Sequence, residues 1–395
     1  MVRLLNNIKY TLTLLLVDLA RKEKILTNDK LGVIFMRIYL KCIQLGLLFY
    51  IVAPAYCFSY DVNELNVNES ITKNYDISTP NDITILDKSW SDEFPNGKGF
   101  GKIMGIACLS EDNPETGACV TKVEYGSSSG EDKILLRFTE NRTGLQHVAI
   151  VRGTVSTSCA HGYDKFVGGT YGCFDFIQYS IYLPESSLKE FPVGGVWTAH
   201  LKLNVETSTY GPTGAFWNID IVLHATDNKN IKIWLPQFHG STANVVMPIM
   251  PAYWTLNKPG KVSAEKVIET CLYDGYSSNS KSFEVTLNSN YTDPSTQDFL
   301  LQNSSVPTSS PLHYQVIASP PGQAGTMQRL NPGVTQTYVG INTAGIRRVM
   351  MPGLQTPVAC VPWPIRIKLL PFDLSQQAAG HYNGVLSITF TPSLD

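Results

Sequence analysis

A serine flanked by glycines is the first candidate for chemistry in this sequence. Gly126-Ser-Ser-Ser-Gly130 has the G-x-S-x-G spacing of a nucleophile elbow centred on Ser128. Thr121–Tyr125 ahead of it could form the required strand, but the elbow also needs a helix directly behind it, and residues 131–138 have a strand pattern instead. We therefore predict a flexible hairpin loop, with a secreted serine hydrolase using Ser128 as the enzymatic alternative.

The other motifs give little support to catalysis or to metal and cofactor binding. Gly97-Lys-Gly99-Phe-Gly101 lacks the G-x-G-x-x-G spacing and follows no strand, so we interpret it as a turn. Cys159-Ala-His161 could be a Cys–His nucleophile pair, but a disulfide suits an exported chain better. The histidines form neither H-E-x-x-H nor a group beside a Cys-x-x-Cys pair: His147, His161, His200, His224, His239, His313 and His381. We predict no catalytic residue, metal or cofactor.

The N-terminal region has the pattern of an export signal. Basic residues from Met36 precede an apolar run of 15 residues, Cys42–Tyr56, which is shorter than the ~20 residues of a bilayer span. We predict a signal peptide at residues 36–57, preceded by an over-extended translation start at residues 1–35. Cleavage after Cys57 leaves an even number of cysteines, as an oxidising compartment favours.

The six remaining cysteines fall into local pairs. Their spacing and placement favour Cys108–Cys119 and Cys159–Cys173 as loop staples and Cys271–Cys360 as a bridge within the second part. Six cysteines formally permit fifteen connectivities, so the pairing is a prediction.

Composition and charge indicate an all-β protein that does not bind nucleic acid. The chain has 30 Gly, 23 Pro, 10 % aromatic and only 16 % charged residues, as in β-sandwiches rich in turns. After the predicted cleavage, residues 58–230 hold 13 Lys and Arg against 22 Asp and Glu, a net charge of −9, and the rest carries +2. An acidic first part argues against nucleic acid and anionic membranes as partners.

Short strand patterns recur on both sides of a polar linker at residues 227–230. In the first part they cover Lys133–Phe138, His147–Gly153, Phe176–Leu183, Trp197–Val205 and Phe216–Leu223, with a hairpin turn before the last and a short helix at Pro184–Phe191. In the second part they begin at Ile231–Phe238 and end at residues 384–391, where Leu386, Ile388 and Phe390 share one face. Residues 58–96 are polar, and we expect a poorly ordered start there.

Several blocks resemble one known family. ACLSEDNPETGAC, FPVGGVWTAHLKLNV, IKIWLPQF, CLYDGYSSNSKSFEV and HYNGVLSITFTPS are similar, in this order, to the minor tip adhesins of class 5 (CFA/I-type) chaperone–usher fimbriae. The resemblance runs from about Cys108 to Asp395, with the six cysteines in corresponding places, whereas residues 58–100 resemble nothing we can place.

The resemblance implies two immunoglobulin-like sandwiches in tandem. The first, at 58–226, is an adhesin domain, and the second, at 231–395, is an incomplete pilin domain. A periplasmic chaperone occupies the gap in this domain before assembly at the outer-membrane usher. A donor strand from the major fimbrial subunit then completes the domain. Leu386, Ile388 and Phe390 look like the chaperone and donor-strand edge, although an ordinary closing strand fits the same residues.

The resemblance also implies a receptor site, which this sequence alters. The family's pocket uses an arginine ahead of the first adhesin cysteine and an arginine pair after LKLNV; here Lys102 stands near the first place, and Glu206, Thr207 and Ser208 follow Val205. We predict receptor-binding residues at Lys102, Thr207, Ser208 and Tyr210, with chemistry that does not favour an anionic glycan. Tyr210, Phe216 and Trp217 could stack on sugars, but for Phe216 and Trp217 the strand context favours the core.

These observations predict a non-enzymatic tip adhesin at the bacterial surface that binds a host glycan or glycoprotein. The alternative within the binding class is a structural minor pilin that initiates fibre assembly without a receptor, which the loss of the arginine pair favours.

Overall fold

The computed structural model describes residues 65–91, 104–158, 162–171, 176–252 and 260–393. The predicted signal peptide, the Gly97–Gly101 turn, Lys102 and the Cys159–Cys173 pair lie outside these ranges. Regular structure within them is almost entirely β and forms two successive sandwiches. The predicted fold class is confirmed.

The first sandwich is built from strands whose residues alternate between core and solvent, as burial along β4, β5 and β6 shows. Its strands are β1 (Val67–Asp76), β2 (Ile83–Ser91), β3 (Met104–Cys108), β4 (Ile134–Glu140), β5 (Gln146–Thr157), β6 (Phe176–Leu183), β7 (Gly195–Thr207) and β8 (Gly211–Thr226), with helix α1 (Glu185–Lys189) between β6 and β7. One layer has the order β1-β8-β7-β4-β5, with β3 also beside β7. The other has the order β5-β6-β2, because β5 pairs with β4 up to Val151 and with β6 from Arg152.

The sequence patterns of the first part match these strands closely. β6 has the predicted bounds, and β7 buries Trp197, Leu201 and Leu203 while His200 lies on the outer face, 2.8 Å from Asp220. The predicted short helix is α1, and the predicted β7–β8 hairpin is present.

Two strands lie in the polar stretch where we expected poor order. β1 pairs in parallel with β8, from Val67 beside Trp217 to Asp76 beside Thr226, and β2 pairs with β6. Most β1 side chains are exposed, so main-chain hydrogen bonds to β8 hold this strand and its sequence shows no apolar alternation. Residues 67–91 thus contain two strands, and the poorly ordered start that we expected within residues 58–96 stays a prediction, since residues 58–64 lie outside the described residues.

The second sandwich consists of shorter strands. They are β9 (Lys232–Trp234), β10 (Met250–Pro251), β11 (Lys261–Ile268), β12 (Cys271–Tyr273), β13 (Ser282–Ser289), β14 (Thr292–Asp293), β15 (Asp298–Asn303), β16 (Leu312–Ala318), β17 (Gln328–Leu330), β18 (Thr335–Val339), β19 (Arg347–Val349), β20 (Val358–Pro362), β21 (Ile365–Asp373), β22 (Tyr382–Asn383) and β23 (Leu386–Pro392). The sheets are β10-β11-β21-β16-β15-β14, with β17 and β22 at its sides, then β19-β20-β12-β9 and β18-β13-β23. The strand predicted at Ile231–Phe238 ends early, because a 3₁₀ turn at Pro236–Phe238 follows β9.

A buried loop at residues 274–280 forms part of the contact between the two sandwiches. The Asp274 carboxylate is fully buried and accepts hydrogen bonds from the backbone N–H of Tyr276 and Ser278, at 2.9 Å each, and of Ser280, at 3.2 Å. The Asp274 side chain thus provides acceptors for three buried backbone N–H groups of the loop that are not paired in a sheet.

The same loop bonds to the first sandwich. The Ser277 hydroxyl donates to the Gly194 carbonyl, and Asn279 Nδ2 donates to Glu140 Oε1 at 3.2 Å. The Arg142 guanidinium, from the turn after β4, donates to the carbonyls of Asn342 and, at 2.9 Å, Ala344. The described residues of the two sandwiches therefore pack against each other in one compact unit.

Candidate functional site

Three of the four predicted receptor residues lie where β7 turns into β8: Thr207 ends β7, and Ser208 and Tyr210 belong to the tip of the hairpin. Thr207 is 4 % exposed, and its hydroxyl donates to the Gly211 carbonyl at 3.2 Å while accepting the backbone N–H of Tyr210 at 2.9 Å. Ser208 is half-buried, and the Tyr210 side chain is 81 % exposed. Thr207 thus shapes the tip, whereas Tyr210 is available to a ligand.

The start of β3 lies beside this tip. Met104 pairs with Thr207, and Gly105 pairs with Glu206. Lys102 precedes Met104 by two residues in the sequence and falls outside the described residues. Phe216 is half-buried with Lys202 Nζ 4.6 Å from its ring centre, and Trp217 is fully buried and stacked on Trp90 at 5.1 Å. The core role favoured for Trp217 agrees with this placement.

Glu206 is a residue of this region that the sequence reasoning did not select. It is 5 % exposed, and its Oε2 accepts the backbone N–H of Val123 at 3.4 Å. Burial raises the pKa of Glu206, and the hydrogen bonds together with nearby Lys122 oppose that rise. The alternation of β7 places Glu206 on the outer face with His200, but the register of the β7–β8 pairing shifts between Asn204 and Glu206, and Glu206 is buried there. The sequence pattern therefore carried no signal for it.

The loop at residues 121–130 packs on β3 beside the hairpin tip. Glu124 N–H donates to the Gly168 carbonyl at 2.9 Å, and Gly126 N–H donates to Thr170 Oγ1 at 3.0 Å. Thr121–Tyr125 is therefore part of a loop fixed by hydrogen bonds, and it does not form the strand that the sequence allowed.

Ser128 lies in that loop without the surroundings of a nucleophile. Ser127–Ser129 forms a 3₁₀ turn, no strand leads directly into it, and β4 rather than a helix follows. The Ser128 carbonyl accepts from Lys165 Nζ at 2.8 Å. The strand–turn–helix geometry of an elbow is not formed, so this segment gives no support to a hydrolase.

Two of the three predicted disulfides lie in the described residues, and both are formed. Cys108 at the end of β3 bonds to Cys119 with a Cα–Cα distance of 5.3 Å, and Cys271 of β12 bonds to Cys360 of β20 with a distance of 5.6 Å. Cys159–Cys173 lies outside the described ranges and stays a prediction.

The second sandwich offers a different kind of site, an unpaired sheet edge. β23 pairs with β13 along its whole length, and on its other side no described strand pairs with it. Leu386, Ile388 and Phe390 face the core but are only partly buried. The role predicted for these three residues, a chaperone and donor-strand edge, stays a prediction.

The described residues contain neither a metal site nor a membrane-spanning helix. No three His, Cys, Asp or Glu side chains there are grouped to hold a metal ion. No helix among them combines the length and apolar character needed to cross a bilayer.

Both sandwiches match the domains of a known fimbrial protein. Two family models of CfaE from CFA/I fimbriae match the chain, the first-domain model at residues 61–228 and the second-domain model at residues 231–394. The CfaE protein of Escherichia coli CFA/I fimbriae is 31 % identical over 316 residues, which are 73 % of this chain and 80 % of that protein. The chain belongs to the CfaE family of CFA/I fimbrial subunits.

Solved structures agree with this family. The crystal structure of CfaE, the adhesive subunit of CFA/I fimbria of enterotoxigenic Escherichia coli, is 27 % identical and matches with a TM-score of 0.67 over 83 % of this chain and 93 % of that one. A chaperone–tip adhesin complex of CFA/I fimbriae biogenesis matches at 26 % identity with a TM-score of 0.58, over 83 % and 97 % of the two chains.

The family confirms the resemblance found in the sequence and corrects its extent. These relatives are fimbrial proteins, which confirms the prediction that the chain is not an enzyme. The family match begins at residue 61, so the stretch that resembled nothing belongs to the first domain as well.

Proposed function

We propose that this chain is the adhesive tip subunit of a chaperone–usher fimbria. In this proposal it passes through the periplasm with a chaperone, is assembled by an outer-membrane usher, and binds a host surface glycan with its first sandwich. Its second sandwich joins it to the major fimbrial subunit by accepting a donor strand. The CFA/I relative described as an adhesive subunit and the relative solved with a chaperone support this assignment.

The incomplete cover of the second sandwich carries the proposal. On β13, at most 1 % of the surface of each inward side chain is exposed: Phe283, Val285 and Leu287. Ile388 and Phe390, beside them on β23, are only partly buried. One further strand beside β23 would cover these side chains and pair the open main-chain groups.

Residues 241–249 support the same interpretation from another part of the second sandwich. Val245 and Met247 pack against the core that Ile388 and Phe390 contact, while Val246 and Ile249 are exposed. The segment is extended, but none of its residues forms a backbone hydrogen bond to another described residue. We expect such an apolar segment, packed on the core without strand pairing, at the side of a groove that a donor strand fills.

Fusion of a donor strand tests this proposal. The amino-terminal strand of the major subunit, joined after Asp395 of the mature chain, should raise the melting temperature by about 10 °C or more, since a few kcal/mol of added burial has this effect in a domain of this size. The control is the same peptide with its apolar positions replaced by serine. A chain that is monomeric and well folded and gains nothing from the fused strand would contradict the donor-strand mechanism.

The structural minor pilin is the second candidate, because Glu206 and Thr207 occupy the places that the resemblance assigns to the arginine pair. Such a pilin accepts the donor strand equally well but does not bind cells. Adhesion of bacteria that display the fimbria, with and without this chain, separates the two functions.

A further inference from the structure

One histidine occupies an inward position at the edge of the first core. His147 of β5 pairs across the strands with Phe138 of β4. The centre of its ring lies 4.8 Å from that of Phe191 and 6.4 Å from that of Trp197. These three aromatic side chains are at most 3 % exposed, and His147 itself is half-buried. A titratable ring therefore lies where the core meets water.

The imidazole of His147 has one nitrogen without a partner. Its Nε2 is buried, and no described residue forms a hydrogen bond with it. In the neutral ring this leaves one polar atom unsatisfied. Protonation would add a positive charge and turn both ring nitrogens into donors, next to aromatic rings that offer no carboxylate or carbonyl acceptor. The surroundings of His147 therefore favour its neutral form.

The charged groups on the neighbouring elements do not reverse this preference. Most of them have partners of their own: Arg137 and Glu140 of β4, Glu185 and Lys189 of α1, and His200 of β7. Tyr75 of β1, whose ring packs on Phe191, is a phenol whose pKa is raised by burial. Burial lowers the pKa of His147, and the negative charge of exposed Glu190, just after α1, only partly opposes this.

The chain next to His147 also bonds to the second sandwich. Residues 191–194 connect α1 to β7, and two of their carbonyls accept hydrogen bonds from the other sandwich. The Pro192 carbonyl accepts from Thr356 Oγ1 at 3.3 Å, and the Gly194 carbonyl accepts from the Ser277 hydroxyl. Since hydrogen bonds weaken steeply when their geometry is lost, a displacement of this connection weakens the contact between the sandwiches.

Packing on the inward side fixes the position of this connection. Phe191 and Val193 are 3 % and 2 % exposed, and the Val193 carbonyl accepts from Trp197 Nε1 at 3.1 Å. The ring centre of Phe191 lies 4.8 Å from that of His147, 5.3 Å from that of Phe138 and 5.1 Å from that of Trp197. If the His147 ring turned out into water, Phe191 would lose one of these neighbours and the connection could shift into the space.

We propose that His147 is an acid-sensitive switch for the contact between the two sandwiches. In the closed state the neutral ring packs on Phe191, and the carbonyls of Pro192 and Gly194 hold the second sandwich. Protonation favours a loosened state, in which the imidazolium reaches water and both hydrogen bonds weaken. Because His147 binds a proton more weakly in the closed state than in water, loosening begins as the pH falls below the ordinary histidine pKa of about 6.5. This inference does not depend on the ligand of the first sandwich.

Hydrogen–deuterium exchange of the mature chain tests the switch. Mass spectrometry follows exchange at about pH 7.5 and about pH 5, the range in which histidine titrates. After correction for the intrinsic pH dependence of amide exchange, protection at residues 191–198 and 274–280 should fall about threefold or more at the lower pH. Protection of β16, in the core of the second sandwich, should stay constant and serves as the internal control.

Three variants separate titration from packing. His147→Phe keeps a ring against Phe191 but cannot take up a proton, so its corrected protection should be the same at both pH values. His147→Leu is measured as well, in case the larger ring impairs folding. Glu190→Gln removes the charge that favours protonation in the closed state and should deepen the loss at the lower pH, whereas a role of His147 in packing alone would leave the wild-type behaviour.

His200→Phe is the matched control. His200 lies on the outer face, 2.8 Å from Asp220, and should not affect the pH dependence. A loss of protection that disappears in the His147 variants and persists in His200→Phe supports the switch. Equal pH dependence in wild type and the His147 variants overturns it. An equal fall in β16 also overturns it, because acid would then unfold the second sandwich as a whole.

Discussion

Asp274 and Asp293 make the same local hydrogen bonds in opposite environments. Asp274 is fully buried and accepts the N–H groups of the 274–280 loop. Asp293 lies on an exposed turn, where the backbone and hydroxyl of Ser295, at 2.9 and 2.7 Å, help lower the pKa of Asp293 to about 2. Comparing the two residues therefore tests how burial changes the contribution of such a carboxylate to the free energy of unfolding.

Asp274→Ala should lower the free energy of unfolding by about 3–5 kcal/mol, because it leaves several buried donors without a partner. Urea denaturation of the mature chain measures the change. Asp293→Ala is the control and should have a small effect, since water replaces the lost carboxylate there. Similar losses for both substitutions would show that burial of Asp274 is not what matters.

At the residue scale, the sequence indicated which side chains could bind a ligand, but not which of them are exposed. Tyr210 was selected because its ring could stack on a sugar, and it is exposed. Thr207 was selected because it follows the block where the resemblance places the arginine pair, but it faces inward, because the hairpin needs its hydroxyl for the turn. Gly105 could not be selected, because it matters only through the loop around Val123, which packs on β3 from a distant part of the chain.

At the scale of elements, β23 offers a direct test of the groove. Ile388→Asp places a charge on the inward face where the donor strand should pack, while Thr389→Asp places the same charge on the exposed face. Because an unpaired charge is costly in an apolar groove, the Ile388 variant should fail to enter fimbriae and the Thr389 variant should enter normally. Immunoblots of purified fimbriae give the measurement, and equal incorporation of both would contradict the groove.

Alternation made most strands of the first sandwich predictable. β6 and β7 bury every second residue over most of their length, so their sequences carry the period of two. β1 escaped prediction because it lies at the edge of its sheet with most side chains in water, and main-chain pairing with β8 leaves no trace in residue types. The apolar run at residues 245–250 was visible, but only the structure shows that it packs on the core without pairing over residues 245–249.

At the scale of the whole molecule, Gly194 fixes how closely the two sandwiches approach. A methyl group there would lie 1.9 Å from the Gly275 carbonyl oxygen and 2.9 Å from that of Ala225. Gly194→Ala must therefore push the 274–280 loop away from the first sandwich and break the Ser277 hydrogen bond.

Calorimetry of the mature chain should show this separation. Gly194→Ala should lower the first melting temperature and widen the interval between the transitions of the two sandwiches, since each loses the support of the other. Gly240→Ala is the control, because the nearest atom to its added methyl group would be at ordinary contact, 3.8 Å away. A Gly194→Ala profile identical to wild type would mean that the contact adds nothing to stability. The linker predicted at residues 227–230 stays a prediction.

The Cys271–Cys360 disulfide sets a path for mechanical tension. In the proposed fibre, a pull on the donor strand enters the chain at β23 and leaves towards the first sandwich, which lies before β9. The disulfide joins residues separated by 89 positions, between those two points. Tension therefore crosses from Cys360 to Cys271 directly, and the loop between them bears none of it through the covalent chain. Roughly 300 Å of contour length between the two cysteines is therefore outside the covalent path of the tension.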